Sequence, residues 1–201
     1  MYIDDAIGGN KMTLMLDKLV SSPKFKNTED IITWFNKSVI NSDGSIVDGG
    51  RPAKNLLNEL DTGIKELNQG KEVIISKIIG GNEIDVLNIT DKKIIECKRV
   101  TGGESQIKVN INSIIGKFTT ETRLSTANKA LYPLHTGQLR IDNPSNPYSN
   151  LSKQQFIDKV RQDLFPNIEK AGIDKLKLKA VIEELEVINA QGTFKINSNE
   201  W

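Results

Sequence analysis

The chain has 201 residues, enough for one ordinary domain with a hydrophobic core and an N-terminal helical extension. Its 27 Lys and Arg against 26 Asp and Glu leave it nearly neutral, so binding to a polyanion must rest on a local patch rather than on the field of the whole protein. A single cysteine, Cys97, excludes an internal disulfide framework and a cysteine-based zinc site; no run approaches the ~18 apolar residues of a membrane span, and the N-terminus lacks a basic region followed by an apolar signal core.

Met12, Met15, Leu16, Leu19 and Val20 recur at helical spacing, which predicts a helix over 11–20 that Ser21-Ser22-Pro23 stops. A second short helix is expected over 28–39, followed by a loop rich in Gly, Asp and Ser over 41–50. Pro52 suits the first turn of a third helix, with Leu56, Leu57, Leu60, Ile64 and Leu67 on one side and Gly70 as its end. Residues 1–50 read as a helical N-terminal region and 51–201 as an α/β domain. The β-branched run over 72–79 predicts a strand that enters a Gly80-Gly81 turn.

Asn82-Glu83-Ile84-Asp85-Val86 and Ile94-Ile95-Glu96-Cys97-Lys98 then place charged groups inside segments that otherwise read as buried strands. Carboxylates and a lysine are costly to desolvate, so their presence there points to chemistry. Strand alternation sets Glu96 and Lys98 on one face and Cys97 on the other. With a two-residue turn at Asp91-Lys92, Asp85 falls opposite Lys98; with a four-residue loop from Ile89 to Lys92, it falls opposite Glu96. Either register gathers all three groups, whereas a three-residue loop without a bulge scatters them. Two neighbouring carboxylates repel unless a cation lies between them, and hard oxygen ligands suit Mg²⁺ or Mn²⁺. An adjacent ammonium can hold a water and offset charge on a pentavalent phosphorus, so the three groups together read as a phosphodiester-hydrolysing site.

An acid on one strand and Glu-x-Lys on the next resembles the core motif of the PD-(D/E)XK nucleases. Asp85 matches the first acid and Glu96-Cys97-Lys98 the second half. The lead-in from Gly80-Gly81-Asn82-Glu83 to Ile84-Asp85-Val86 is similar to a Gly-x-Glu-Ile-Asp form found in several branches. The match spans roughly 56–118, and Ile84 stands where the proline of the family's name would be. The resemblance implies that Asp85 and Glu96 bind a divalent metal, Mg²⁺ or Mn²⁺ with Zn²⁺ as a further option, that the Cys97 carbonyl can add a ligand, and that Lys98 assists the water. It also implies a further glutamate from the helix before the first strand; Glu59 and Glu66 both qualify, with Glu59 preferred. The expected fold is α/β, a mixed central sheet flanked by helices around a restriction-endonuclease-like core. The expected activity is endonucleolytic cleavage of DNA or tRNA. A compact, neutral domain of this kind looks like the toxin modules of bacterial competition systems, which act in the cytoplasm after delivery within a larger secreted protein and travel with an immunity protein. The alternative is a nucleic-acid- or protein-binding module that keeps the nuclease-like sheet without catalysis.

Beyond the motif, Thr101-Gly102-Gly103 breaks the strand, and a helix over 104–124 is expected with Ile107, Ile111, Ile114, Ile115 and Phe118 on its apolar side. Gln106, Lys108, Asn110 and Lys117 fall on the exposed side, within reach of a nucleic-acid backbone in one reading and a solvated surface in the other. Gly102-Gly103 before a helix can seat a phosphate or be a simple turn. A strand is expected over 130–134, then a long polar loop over 133–150 holding His135, Arg140 and Tyr148 as possible substrate contacts. Ser152 and Gln155 form a capping-box pattern, with Leu151 and Phe156 as its hydrophobic staple, for a helix over 153–164. The tail, with Leu176, Leu178 and Ala180 alternating, an ambiguous run from Val181 to Ile188, and a Gln191-Gly192 turn before Thr193 to Ile196, reads as a closing pair of strands.

Overall fold

The structure, a computed structural model, describes residues 9–39, 43, 51–79, 82–119, 130–165 and 175–201. It is α/β, with strands β1 (Val73–Ile79), β2 (Asn82–Asn88), β3 (Lys93–Val100), β4 (Leu134–Ile141), β5 (Glu184–Asn189) and β6 (Gly192–Asn197) in that order in one six-stranded mixed sheet. The helices are α1 (Gly9–Val20), α2 (Thr28–Val39), α3 (Arg51–Asn68), α4 (Glu104–Thr119), α5 (Lys153–Asp163) and α6 (Lys175–Val181), with a closing 3₁₀ turn at Ser198–Glu200. The chain divides into two compact units, residues 1–78 with 83–93 and residues 79–82 with 94–201.

In the first unit, Met12, Met15 and Leu19 of α1 are buried, and so are Leu56, Leu60 and Ile64 of α3, the apolar stripes their spacing predicts. Gly63 lies on the same side of α3. A Cβ there would sit 2.4 Å from Ile75 Cδ1, so the missing side chain lets α3 approach β1. At its C-terminus α3 closes in a Schellman turn: Gly70 adopts φ +80°, Gly70 N donates to Leu67 O at 2.8 Å, and Lys71 N donates to Glu66 O at 3.2 Å. One edge of β1 is covered by residues 24–27. Lys26 N donates to Val73 O and Val73 N to Lys24 O, and the Asn27 amide then bonds both the carbonyl (2.6 Å) and the N–H (3.1 Å) of Ile75. Just beyond, Ser76 has φ +53°, a left-handed backbone inside a strand that local sequence does not foretell. The expected Gly80-Gly81 turn and most of the 41–50 loop lie outside the described residues.

In the second unit, Asp142 N donates to Val100 O at 2.9 Å, which sets the C-terminal ends of β3 and β4 side by side and makes these strands parallel across α4. β4 and β5 are parallel, with Gly137 opposite Leu185 and Gln138 opposite Glu186, and β5 and β6 are antiparallel through a tight turn at Ala190-Gln191. Ile107, Ile111, Ile114, Ile115 and Phe118 of α4 are all buried, as expected, and residues 120–124 of the anticipated helix lie outside the described set. The capping box at Ser152 and Gln155 is present.

Two expectations are corrected. The strand starts at Leu134 rather than ending there, and it occupies 134–141, where a polar loop was anticipated. Gly137 and Gln138, which read locally as loop residues, have packing roles: a Cβ on Gly137 would meet Ile114 Cγ2 at 2.9 Å and Leu185 Cδ1 at 3.0 Å, and Gln138 bonds Glu186. The alternation at Leu176, Leu178 and Ala180 belongs to α6 rather than a strand, with Leu178 buried and Leu176 exposed. The close approach at Gly137 carries a prediction. Gly137→Val should cost about 1–3 kcal/mol, because Ile114 and Leu185 must both move in a packed core. Denaturant unfolding measures this, and an unchanged midpoint would contradict it.

Candidate functional site

Within the first unit, Asp85 sits on β2 between the buried Ile84 and Val86 and is itself 7% exposed. Glu59, on α3, accepts a hydrogen bond from Ser76 Oγ at 2.9 Å; the left-handed backbone of Ser76 lies at this contact. Glu66, the other glutamate that the sequence left open, has a different role. Its Oε2 accepts from Asn88 Nδ2 at 2.5 Å and its Oε1 pairs with Lys93 Nζ at 3.2 Å. Asn88 also donates to Asp91 Oδ2 at 2.9 Å and accepts from Asp91 N at 2.8 Å, while Lys71 Nζ reaches Asp91 Oδ1 at 2.7 Å. The hydrogen bond from Lys71 is the main reason that the Asp91 carboxyl is held below its ordinary value. This network pins the loop between β2 and β3, which spans Ile89 to Lys92 and is the four-residue case. Asn88 and Asp85 are three residues apart on one strand and so point to opposite faces, which directs Glu66 away from Asp85.

Within the second unit, Glu96 is 2% exposed at the middle of β3. Lys98 Nζ donates to Glu96 Oε1, and Lys117 Nζ, from the last turn of α4, lies 3.0 Å from Glu96 Oε2. The two contacts differ in kind. The first is a hydrogen bond, whereas the second has ion-pair distance without hydrogen-bond angles, so Oε2 is buried with no hydrogen-bond donor aligned on it. A Cβ on Gly137 would point at Ile114 of α4, the helix whose Lys117 reaches Glu96, so Glu96, Lys98 and Gly137 share the face beneath α4. The shared face of Glu96 and Lys98 is the one strand alternation predicts, and Cys97 is buried on the other.

Two polar residues of this unit went unnoticed in the sequence. Gln138 Nε2 donates to Glu186 Oε1 at 2.8 Å across β4 and β5, with both side chains buried on the face away from α4. Glu186 carries the same signal as Glu96, a carboxylate inside an apolar strand, but the run over 181–188 is ambiguous enough to hide it.

Several residues that one reading of the sequence offered as substrate contacts make contacts within the protein. Gln106 Oε1 accepts from Thr101 N at 2.9 Å and Gly102 N at 2.7 Å, and Asn110 Nδ2 donates to Arg99 O at 3.4 Å. Gly102 O accepts from Asn143 and Asn146, so Thr101-Gly102-Gly103 is a braced turn. His135 stacks on Phe118 with ring centroids 4.6 Å apart, and its Nδ1 lies 3.2 Å from Val181 O, which gives it a packing role. Arg140 lines a cleft of about 330 Å³ with Ile141, Pro144 and Ile188, at the C-terminal ends of β4 and β5. The polar side chains beside it are already bonded, Ser149 to Pro144 O and Asn189 to Tyr148 O and Leu151 O.

Tyr148 is not a surface residue. It is fully buried, edge-on to Phe156 at 5.3 Å, and burial, reinforced by the charges of Asp163 and Glu104, pushes its phenol well above the ordinary value. Its hydroxyl has no hydrogen-bond partner among the described residues. A buried hydroxyl left unpaired costs about 1–3 kcal/mol, so Tyr148→Phe should raise stability by about 1 kcal/mol. A higher denaturation midpoint is the expected readout, and a fall of similar size would show that the hydroxyl is bonded after all.

Among the described residues, no group of three or more His, Cys, Asp or Glu side chains is placed to hold a metal, and no helix is long and apolar enough to cross a membrane. The donors offered at the motif are carboxylates, which suit a hard cation that keeps most of its waters and takes one or two protein carboxylates, as Mg²⁺ does. The buried, unaligned Glu96 Oε2 is compatible with such a ligand. No family model matches the chain, and neither does any curated protein or solved structure.

Proposed function

We propose that the protein is a divalent-metal-dependent endonuclease that hydrolyses phosphodiester bonds of DNA or tRNA. The observation that carries the reading is Glu96, a strand carboxylate 2% exposed and held by the ammonium groups of Lys98 and Lys117 on a face that the chain could have filled with an aliphatic side chain. In the reaction, water attacks phosphorus, a P–O bond to the leaving sugar oxygen breaks, and negative charge builds on the non-bridging oxygens. The metal, when bound, lowers the pKa of its water and neutralises part of that charge. Asp85 and Glu96 are assigned as its carboxylates, with Glu59 as an outer or second ligand and the Cys97 carbonyl as an added one. Lys98 orients the attacking water through Nζ and offsets charge on the phosphorane.

The finer reading is a toxin effector domain, acting in the cytoplasm after delivery within a larger secreted bacterial protein and held in check by a cognate immunity protein. Incubation with plasmid DNA, single-stranded DNA and total tRNA, each with Mg²⁺, Mn²⁺, Zn²⁺ or EDTA, tests activity and substrate together. Cutting of one substrate with metal and none with EDTA is expected; a folded protein that cuts nothing would overturn the proposal. A second reading, a non-catalytic binding module, gains support from the lack of a three-ligand group among the described residues and from the lysines already paired with Glu96. It differs in outcome, since it requires no metal affinity and allows neutralisation of Asp85 and Glu96 to stabilise the fold.

A further inference from the structure

We infer that Lys117 is a second functional lysine of the site, one that holds Glu96 Oε2 in the metal-free protein and contacts a phosphate oxygen of the substrate when a metal takes that carboxylate oxygen. This rests on the metal-dependent nuclease reading and extends it to a residue outside the Glu-x-Lys motif.

The two ammonium contacts on Glu96 are unequal. Lys98 makes an aligned hydrogen bond to Oε1, whereas the 3.0 Å approach of Lys117 to Oε2 lacks hydrogen-bond angles. Of the two contacts on Glu96, that of Lys117 would be the easier for a cation to replace, because an aligned charge-assisted hydrogen bond is the stronger of the two. The base of Lys117 cannot follow its ammonium away. Its neighbours on α4 are fixed in the core: Ile114 is buried at the Gly137 gap, and Phe118 is buried and stacked on His135. With the stem anchored and four flexible carbons between backbone and charge, the displaced ammonium stays within a few ångströms of Glu96. A phosphodiester held by a metal on Glu96 would present its oxygens to that ammonium. Partial exposure of the Lys117 side chain, 13%, leaves a route for the head group to turn toward solvent and substrate. A lysine in the last turn also complements the helix dipole, but that role would be met by an ammonium pointing into solvent, without desolvation beside a buried glutamate.

Competition and substrate contact pull in opposite directions when Lys117 is removed, and this makes the inference testable. Mn²⁺ is titrated calorimetrically into the wild type, Lys117→Met and Lys117→Arg, and cleavage is measured on the same preparations. Lys117→Met should bind Mn²⁺ about 10-fold more tightly, having lost a competitor for Oε2, yet cleave roughly 10²-fold more slowly, the scale for losing one charge-stabilising donor. Lys117→Arg, which keeps the charge and guards against a folding defect in the methionine variant, should recover most of the cleavage. Unchanged or weaker Mn²⁺ binding by a folded Lys117→Met protein, or undiminished cleavage, overturns the role of Lys117 while the nuclease reading stands. Wild-type protein that neither binds Mn²⁺ nor cuts overturns the nuclease reading itself, and the inference with it.

Discussion

Lys98→Ala should lower the cleavage rate by roughly 10²- to 10⁴-fold, the range for removing a positioned proton-handling or charge-stabilising group, and leave the protein folded. The fold is expected to survive because Glu96 keeps Lys117 at 3.0 Å, so truncation of Lys98 does not strand the buried carboxylate without a counter-charge. Substrate affinity should change little, since the ammonium acts on the water and on charge that develops during attack. Single-turnover cleavage with thermal unfolding of the same sample separates the two effects. A variant that unfolds near the wild-type temperature and cuts at the wild-type rate would remove Lys98 from the mechanism.

The second large effect is structural. Glu66→Ala should cost about 3–5 kcal/mol, because it deletes the shared partner of two groups at once. Lys93 loses its ion pair at 3.2 Å and Asn88 its hydrogen bond at 2.5 Å, and the Glu66 side chain is only 7% exposed. Removing one member of a buried pair leaves the other desolvated and unpaired, which is the expensive way to break such a contact. Domains of this size are stable by about 5–15 kcal/mol, so the loss is a large share of the total. Glu66→Gln, which can still accept from Asn88, should lose less. A shift in unfolding free energy under about 1 kcal/mol for Glu66→Ala would show that the network is not a support of the loop between β2 and β3.

What the sequence discloses about this protein follows the range of the interactions involved. Helices α1 and α3 are legible because their apolar spacing is a local property, and the start of α5 is legible because Ser152 and Gln155 are three residues apart. The shared face of Glu96 and Lys98 follows from strand period alone. Strand β4 is illegible for the opposite reason. Gly137 answers to Ile114 and Leu185, and Gln138 to Glu186, all remote in the chain, while locally both residues signal a loop. The contacts of Glu59 and Glu66 are equally hidden, since the two lie seven residues apart on one helical stripe and only the folded chain shows Ser76 against the first and Asn88 and Lys93 against the second. Lys117 reads as an exposed helix residue because nothing near it in sequence shows that α4 brings it onto Glu96.

The most direct test of the central claim is the rate of nucleic-acid cleavage by wild type and Asp85→Ala, side by side in Mg²⁺ and in EDTA, with the fold of each checked by circular dichroism. Cleavage by the wild type in Mg²⁺ alone, with none from a folded Asp85→Ala protein, is the predicted result. Equal cleavage by both, or cleavage by the wild type that persists in EDTA, would contradict a metal-dependent nuclease built on this motif.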